Sequence, residues 1–137
     1  MGKSLGGAVA TYAAHKDPSL FSGLILENTF TSIADMADYM FPFLSLFKYL
    51  VLRIEWDSNS LIRSLDMPIL FIGTQHDEIV PEWHTEKLNR NAIAAPYRRH
   101  VILTKGGHND SWYHDHEKYK SALTAFLLQP KLLSEFP

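Results

Sequence analysis

The amino-acid sequence predicts an α/β fold in which a parallel sheet of about three strands is covered by helices on both faces. Three short apolar runs, at residues 20–26, 68–73 and 100–103, have the length and composition of buried strands. Segments with helical periodicity separate and follow these runs, and strands that alternate with helices pair in parallel. Residues 5–15, rich in alanine and glycine, precede the first run and suit a helix packed closely against the sheet.

The predicted elements follow one another in the order helix, strand, insertion, strand, helix, strand and helix. The first helix ends before Asp17-Pro18, because the residue before a proline is disfavoured in the helical conformation. Residues 81–95 contain apolar side chains at roughly helical spacing. In residues 115–128 apolar side chains recur at i, i+3, i+4 and i+7, which is typical of an amphipathic helix with one buried face. These positions are Tyr119, Ala122, Leu123 and Phe126.

Residues 29–66 separate the first two predicted strands and exceed a simple crossover connection. We expect them to form a helical insertion or cap above the sheet. Its apolar side chains could line an acyl-binding pocket, pack within the cap itself, or touch lipid as part of an interfacial helix. They are Met36, Met40, Phe41, Phe43, Phe47 and Leu50. We favour packing for most of them, and we interpret residues 1–137 as one partial domain.

Composition excludes several classes of protein. The chain of 137 residues is 46% hydrophobic, which suits one packed domain and excludes intrinsic disorder. Its formal net charge is −2 and its basic residues form no block, so nucleic acid is not an expected partner. Because cysteine is absent, disulfides, thiolate zinc sites and cysteine nucleophiles are excluded. The most apolar stretch, residues 39–52, is shorter than the ~20 residues that a membrane-spanning helix needs.

Three polar residues stand where a parallel sheet places its chemistry. Ser4 lies in the motif G-x-S-x-G of residues 2–6 and opens the first predicted helix. Asp77 and His108 each lie a few residues beyond one of the two later strands. Because the carboxyl ends of parallel strands meet at one edge of a sheet, we expect the three side chains to lie close together.

These residue types suit nucleophilic catalysis on an acyl group. A serine hydroxyl is a weak nucleophile until an imidazole accepts its proton, and a carboxylate holds that imidazole in the required tautomer. Ser4, His108 and Asp77 are therefore the candidate nucleophile, base and acid. The backbone N–H of Leu5, at the start of a helix, is the candidate donor to a developing oxyanion.

Each candidate also has an explanation that needs no catalysis. G-x-S-x-G occurs by chance, Asp77 could cap the following helix, and His108 could be an ordinary loop histidine. Their order along the chain, each at a predicted strand end, favours the shared catalytic interpretation. Glu27, at the end of the first predicted strand, is an alternative acid, and Asp110 could order the histidine loop.

A cluster of histidines and acids raises the alternative of a metal site. His108, Asp110, His114 and His116 fall in one short segment, and facial metal sites can combine such side chains. The same segment is consistent with a polar loop that leads into a helix, and the sequence lacks the motif H-E-x-x-H. We therefore expect neither a metal nor another cofactor.

Four blocks of the sequence resemble one known family. They are GKSLGGAVA at residues 2–10, ENTF at 27–30, MPILFIG with the following DEIVP at 67–81, and GGHNDSW at 106–112. Together they resemble the C-terminal half of the α/β-hydrolase domain-containing protein 13 family, a group of serine hydrolases often placed beside serine aminopeptidase-type enzymes. The resemblance implies the C-terminal portion of an α/β-hydrolase fold. It places the family's nucleophile, acid and base on Ser4, Asp77 and His108, in the chain order of α/β-hydrolases.

The resemblance also implies that the N-terminal half of the domain is absent from this chain. That half would supply the strand supporting Ser4, a second oxyanion donor and, in the family, often a membrane anchor. We expect cleavage of ester, thioester or amide bonds through an acyl-enzyme on Ser4, with turnover impaired because one oxyanion donor contributes about 10²–10³ in kcat. The alternative is a non-catalytic fragment or interaction module.

A small-molecule, acyl or peptide substrate is the expected partner, and membrane association is implied only through the absent half. The exact substrate, the compartment and the oligomeric state stay open.

Overall fold

A parallel four-stranded sheet forms the centre of the protein in the computed structural model, which describes residues 1–40, 56–129 and 132. The strands lie side by side in chain order, β1-β2-β3-β4. Their bounds are Gly2–Lys3 for β1, Leu24–Glu27 for β2, Ile69–Thr74 for β3 and Arg98–Leu103 for β4. The predicted α/β fold class with a parallel sheet is confirmed.

Helices connect the strands and cover the sheet. Their bounds are Leu5–Lys16 for α1, Ile33–Met40 for α2, Ser58–Leu61 for α3, Trp83–Asn91 for α4, Ser111–His114 for α5 and His116–Leu127 for α6. Two single turns of 3₁₀ helix lie at Pro18–Leu20 and Ile62–Ser64. In the part of the chain that the structure describes, no helix has the length and apolarity needed to cross a membrane.

The sheet has one strand more than the three that the sequence indicated. Gly2 and Lys3 pair in parallel with Leu26 and Glu27 and so form β1 directly before Ser4. The Ser4 N–H continues the ladder by donating to the Glu27 carbonyl at 2.9 Å. A strand of two residues has no periodicity to detect, so sequence analysis expected no strand in front of the serine.

Strand β2, which corresponds to the first predicted strand, begins later than the sequence indicated. Residues 20–26 were expected to be extended, but Leu20 closes the 3₁₀ turn and its side chain is 74% exposed. Pro18 starts that turn, and its carbonyl accepts the N–H of Phe21 at 3.2 Å. Because Pro fixes φ near the helical value, the chain turns once more before it becomes extended at Leu24.

The core consists of an apolar layer on each face of the sheet. Successive β3 residues alternate between the layers: Ile69 and Phe71 pack beneath α1 and α4, while Leu70 and Ile72 pack against α6. All four side chains are fully buried, and each contributes roughly 1.5–3 kcal/mol to stability. Phe126 anchors the second layer, on the predicted apolar face of α6.

The predicted insertion contains helices at both of its described ends, α2 and α3. Met36 of α2 is buried against Ala8, Phe30 and Val80, so this side chain packs into the protein. The side chain of Met40 and four further candidates for an acyl pocket lie outside the described residues. These four are Phe41, Phe43, Phe47 and Leu50.

Helix α2 is tied to helix α4 through a buried histidine. The Thr31 N–H donates to His84 Nδ1 at 3.2 Å, and the Thr31 hydroxyl donates to Asp35. Lys87 of α4 lies 3.6 Å from the same Asp35 carboxylate. Burial lowers the pKa of His84 to about 4; the negative charge of Asp35 opposes this shift, and the positive charge of Lys87 adds to it. His84 is therefore a neutral acceptor in the folded protein at neutral pH.

The end of β2 packs so closely on α1 that a glycine is required there. A Cβ at Gly7 would lie 2.3 Å from Thr29 Oγ1 and 2.5 Å from Thr29 Cβ. Thr29 is fully buried and β-branched, so its side chain cannot move aside. Among the described residues, nothing lies within 4 Å of a Cβ at the adjacent Gly6.

We predict opposite effects of alanine at these two glycines. Gly7→Ala should lower the free energy of unfolding by about 1–3 kcal/mol, because the added methyl group overlaps Thr29. Gly6→Ala should leave it unchanged or raise it by up to about 1 kcal/mol, because alanine is the better helix former. Urea unfolding of the chain and both variants measures the difference. Equal effects of the two substitutions would contradict the packing at Thr29.

We also predict that stability falls in mild acid because of His84. Its folded pKa of about 4 lies below the ordinary value of 6.5, so the unfolded chain binds the proton first. The contribution of neutral His84 to the free energy of unfolding is complete above pH 6.5 and is lost as the pH falls from 6.5 towards 4. The loss should total about 3 kcal/mol, measured as the free energy of unfolding across this range.

The control is a pair of glutamine variants. His84→Gln should flatten the pH dependence between 6.5 and 4, apart from the smaller contribution of half-buried His100, which is the same in both proteins. His116→Gln, which replaces an exposed imidazole, should follow the parent protein. Parallel curves for the parent and His84→Gln would show that His84 does not carry the effect.

Candidate active site

Ser4 occupies a strained turn between β1 and α1. Its backbone has φ 52° and ψ −125°, in a region that residues other than glycine seldom adopt. Such a conformation costs on the order of 1–3 kcal/mol and persists only where the surrounding structure holds it. The turn is tight, since a Cβ at Gly2 would lie 2.3 Å from the Gly6 carbonyl oxygen. A nucleophile elbow places its serine in a tight turn of this kind between a strand and a helix.

Asp77 and His108 meet beyond the carboxyl ends of β3 and β4. His108 Nδ1 lies 2.7 Å from Asp77 Oδ2, and the two side chains are 5% and 0% exposed. The other carboxylate oxygen of Asp77 accepts the backbone N–H groups of Ile79 at 2.8 Å and Val80 at 2.7 Å. An ionised carboxylate can only accept, so the histidine donates to it from Nδ1, and in the neutral imidazole Nε2 is then an acceptor.

The backbone of the histidine loop is held by two further carboxylates. Glu78 Oε2 accepts the His108 N–H at 3.0 Å, and Asp110 Oδ1 accepts the Gly107 N–H at 2.7 Å. These hydrogen bonds are the main cause of the lowered pKa of Glu78 and of Asp110. A Cβ at Gly107 would lie 2.5 Å from Glu78 Oε2, so a side chain at this position would displace the Glu78 carboxylate. Asp110 therefore orders the loop, as the sequence suggested, whereas nothing in the sequence pointed to Glu78.

Asn28 and Thr29 link the histidine loop to the serine turn. Asn28 Nδ2 donates to the His108 carbonyl at 3.1 Å, and Thr29 Oγ1 donates to the Ser4 carbonyl at 2.7 Å. Both residues are buried, and Asn28 has φ 44°. Sequence analysis assigned no role to either residue, although both lie in the block ENTF that carries the family resemblance.

The structure brings Asp77, and not Glu27, into contact with His108. Glu27 Oε2 accepts a hydrogen bond from Tyr119 Oη at 2.8 Å, and Glu27 Oε1 lies 3.5 Å from Lys3 Nζ. Burial, and then this hydrogen bond, raise the pKa of Tyr119. Buried Glu27 thus belongs to a partly exposed polar cluster between β1, β2 and α6.

Ser4 and His108 lie at the same edge of the sheet without a direct bond. Within the described residues, no hydrogen bond joins Ser4 Oγ to the imidazole. The two segments are instead connected through Asn28 and Thr29, and Lys3 Nζ lies 3.5 Å from the Asn109 carbonyl oxygen. The Leu5 N–H belongs to the first turn of α1, where backbone donors have no partner inside the helix.

The histidine and acid cluster does not form a metal site in the described residues. No group of three His, Asp or Glu side chains there is arranged to hold an ion. His108 bonds Asp77, whereas His114 lies 3.3 Å from Asp110 at the surface and His116 lies 3.0 Å from its neighbour Glu117.

Known sequences include several relatives of this chain, although no protein-family model matches it. It is 38% identical over 138 residues to the alpha/beta hydrolase domain-containing protein WAV2 of Arabidopsis thaliana, covering 92% of this chain and 45% of that protein. It is 38% identical over 130 residues to an uncharacterized membrane protein of Saccharomyces cerevisiae, covering 93% of this chain and 44% of that protein. The chain therefore spans less than half the length of these relatives.

Solved structures share the fold at lower sequence identity. Acylaminoacyl peptidase of Pyrococcus horikoshii matches with a TM-score of 0.68 and 20% identity, over 92% of this chain and 23% of that one. A thermophilic esterase of Thermogutta terrifontis matches with a TM-score of 0.65 and 20% identity, over 92% of this chain and 62% of that one. At these identities the likeness concerns the fold alone. Sequence relatives and structural neighbours agree with the parallel sheet: the chain is similar in sequence to an α/β-hydrolase domain-containing protein and forms part of an α/β-hydrolase fold.

Proposed function

We propose that this chain carries the catalytic triad of a serine hydrolase, with Ser4 as nucleophile, His108 as base and Asp77 as the acid that orients it. The observation that carries the proposal is the buried Asp77–His108 pair at the sheet edge where Ser4 stands in a strained turn. Its support is geometric, since Nδ1 is engaged by the carboxylate and Nε2 is left to accept a proton.

The proposed reaction is cleavage of an ester, thioester or amide bond. Ser4 Oγ attacks the acyl carbon while His108 Nε2 accepts the hydroxyl proton. The tetrahedral intermediate then expels the leaving group, which takes that proton, and the acyl group stays on Ser4 Oγ. Water attacks the acyl-enzyme with His108 again as base, and the carboxylic acid leaves as Ser4 regains its proton.

Charge on the carbonyl oxygen must be stabilised during both steps. The Leu5 N–H lies at the start of α1 and can donate a hydrogen bond to this oxygen. The helix dipole further stabilises negative charge at the same position. Hydrolases of this fold draw a second donor from a loop after an earlier strand. Since the chain spans less than half of its curated relatives, we propose that the activity of the whole protein depends on such a second donor.

A non-catalytic interaction module is the second candidate. It is favoured by one observation, that within the described residues no hydrogen bond joins Ser4 to His108. In such a module the buried Asp77–His108 pair would serve only to hold the loop after β4.

We predict that Ser4 is the site of labelling by a fluorophosphonate probe. The experiment uses the longest open reading frame that carries this chain, so that any further oxyanion donor is present. Ser4→Ala should abolish labelling because it removes the hydroxyl that His108 is proposed to activate. The control Ser19→Ala removes an exposed serine that bonds Asp17 and should label like the parent.

Three outcomes would count against this function. Undiminished labelling of Ser4→Ala would overturn the nucleophile assignment. A folded parent protein that takes up no probe would favour the interaction module. Ester hydrolysis that is lost when EDTA is added would instead support the metal alternative.

We further predict which carboxylate supports the base. Asp77→Asn should slow ester hydrolysis by on the order of 10⁴-fold in kcat, because the amide favours the wrong tautomer of His108. Glu27→Gln changes an equally buried carboxylate whose partners are Tyr119 and Lys3, and should retain most of the activity. Steady-state kinetics on a nitrophenyl ester measures both. A larger loss in Glu27→Gln than in Asp77→Asn would reverse the assignment.

A further inference from the structure

Two buried polar residues at the end of β2 take no part in the proposed chemistry. Asn28 is 1% exposed and Thr29 is fully buried. A buried polar side chain is costly unless it is hydrogen-bonded, so the partners of such residues reveal what the position requires.

The partner of Thr29 is the backbone of the proposed nucleophile. Its hydroxyl donates to the Ser4 carbonyl at 2.7 Å, while the carbonyl of Glu27 accepts the Ser4 N–H at 2.9 Å. Both polar backbone groups of Ser4 are therefore bound by residues on either side of Asn28. This arrangement fixes the strained turn against the end of β2.

The partner of Asn28 is the backbone of the proposed base. Asn28 Nδ2 donates to the His108 carbonyl at 3.1 Å, and Asn28 Oδ1 accepts the Thr74 hydroxyl at 2.9 Å. Thr74 Oγ1 in turn lies 3.0 Å from Ser111 Oγ, so the chain of polar groups runs to the start of α5. The backbone N–H of Asn28 donates to the Ile72 carbonyl at 2.8 Å, which fixes the residue against β3.

We propose that Asn28 and Thr29 are positioning residues that set the serine turn and the histidine loop relative to one another. The inference rests on the proposed function and extends it to residues that touch neither substrate nor reacting atoms. Consecutive residues of one strand end hold the two segments, so the spacing of Ser4 and His108 follows from the rigid backbone of β2. A misplacement of about 1 Å in such an arrangement can slow a reaction on the order of 10²-fold.

The residue types match these roles. Position 28 needs a donor and an acceptor on one short side chain, and its φ of 44° is tolerated by asparagine. Aspartate has the same shape but no Nδ2 donor. Position 29 needs a hydroxyl donor on a β-branched frame, which valine matches in shape without the hydroxyl.

The test compares matched threonine variants in the longest open reading frame that carries this chain. Thr29→Val should reduce the rate of fluorophosphonate labelling about 10- to 100-fold, with the loss in kcat and not in KM for ester hydrolysis. Thr29→Ser should restore most of the rate. Thr11→Val removes another fully buried threonine hydroxyl, one that donates to the Gly7 carbonyl within α1, and should label at the parent rate.

A second measurement follows the base without any turnover. The proton between His108 Nδ1 and Asp77 should give a low-field NMR signal in the 137-residue chain. Asn28→Asp should shift this signal, because a carboxylate replaces the donor beside the His108 carbonyl. Thr29→Val should leave it in place, because Thr29 acts on Ser4 alone.

The outcomes separate this inference from the function on which it rests. If labelling depends on Ser4 but folded Thr29→Val and Asn28→Asp both react at the parent rate, the positioning role is overturned. If the parent protein does not label, the proposed function fails, and an unmoved NMR signal in Asn28→Asp then also overturns the positioning of His108. Should Asn28→Asp fail to fold, the labelling rates of Thr29→Val, Thr29→Ser and Thr11→Val decide whether the positioning role holds.

Discussion

The burial of β3 between two parallel neighbours is the constraint on which the rest of the molecule depends. All six residues of Ile69–Thr74 are buried, and the strand pairs in parallel with β2 on one side and β4 on the other. A slip of one residue would exchange the side chains of two closely packed layers that differ in shape, so the register is strongly specified. Because parallel strands end at the same edge, that register also brings the loops after β2, β3 and β4 together. The same pairing thus determines the core and the location of Asp77 and His108.

Strain is concentrated at this edge and is held there by hydrogen bonds. Ser4 and Asn28 are the described residues other than glycine with positive φ, and each directly follows a strand. For Ser4 the cost is offset by bonds from both of its backbone groups to the end of β2. For Asn28 the backbone and both ends of the amide are bonded. A turn that aims a serine side chain outward is stable here only because β2 lies directly beside it.

Local patterns in the sequence predicted the buried strands and the amphipathic helix, since these follow from periodicity within a few residues. The apolar faces of β3 and α6 are therefore where the sequence indicated. The two-residue β1 was not predicted, because it forms through pairing with β2 and its own composition gives no signal. Asp77 and His108 could be selected as candidates because each follows an apolar run and belongs to a residue type with known chemistry. Asn28, Thr29 and Glu78 were missed because their partners lie 80, 25 and 30 residues away along the chain.

Polar groups, and not apolar packing, define the geometry at the edge of the sheet. Apolar burial is nearly non-directional, so it stabilises the layers without fixing a loop to a fraction of an ångström. A buried polar group left without its partner costs about 1–3 kcal/mol, and hydrogen bonds require narrow ranges of distance and angle. The chain from Ser111 through Thr74 and Asn28 to the His108 carbonyl is satisfied in the arrangement observed. A displaced histidine loop would leave at least one of these buried groups unpaired. The buried polar residues that follow the strands therefore restrict the loop to one position, which apolar residues of equal volume could not do.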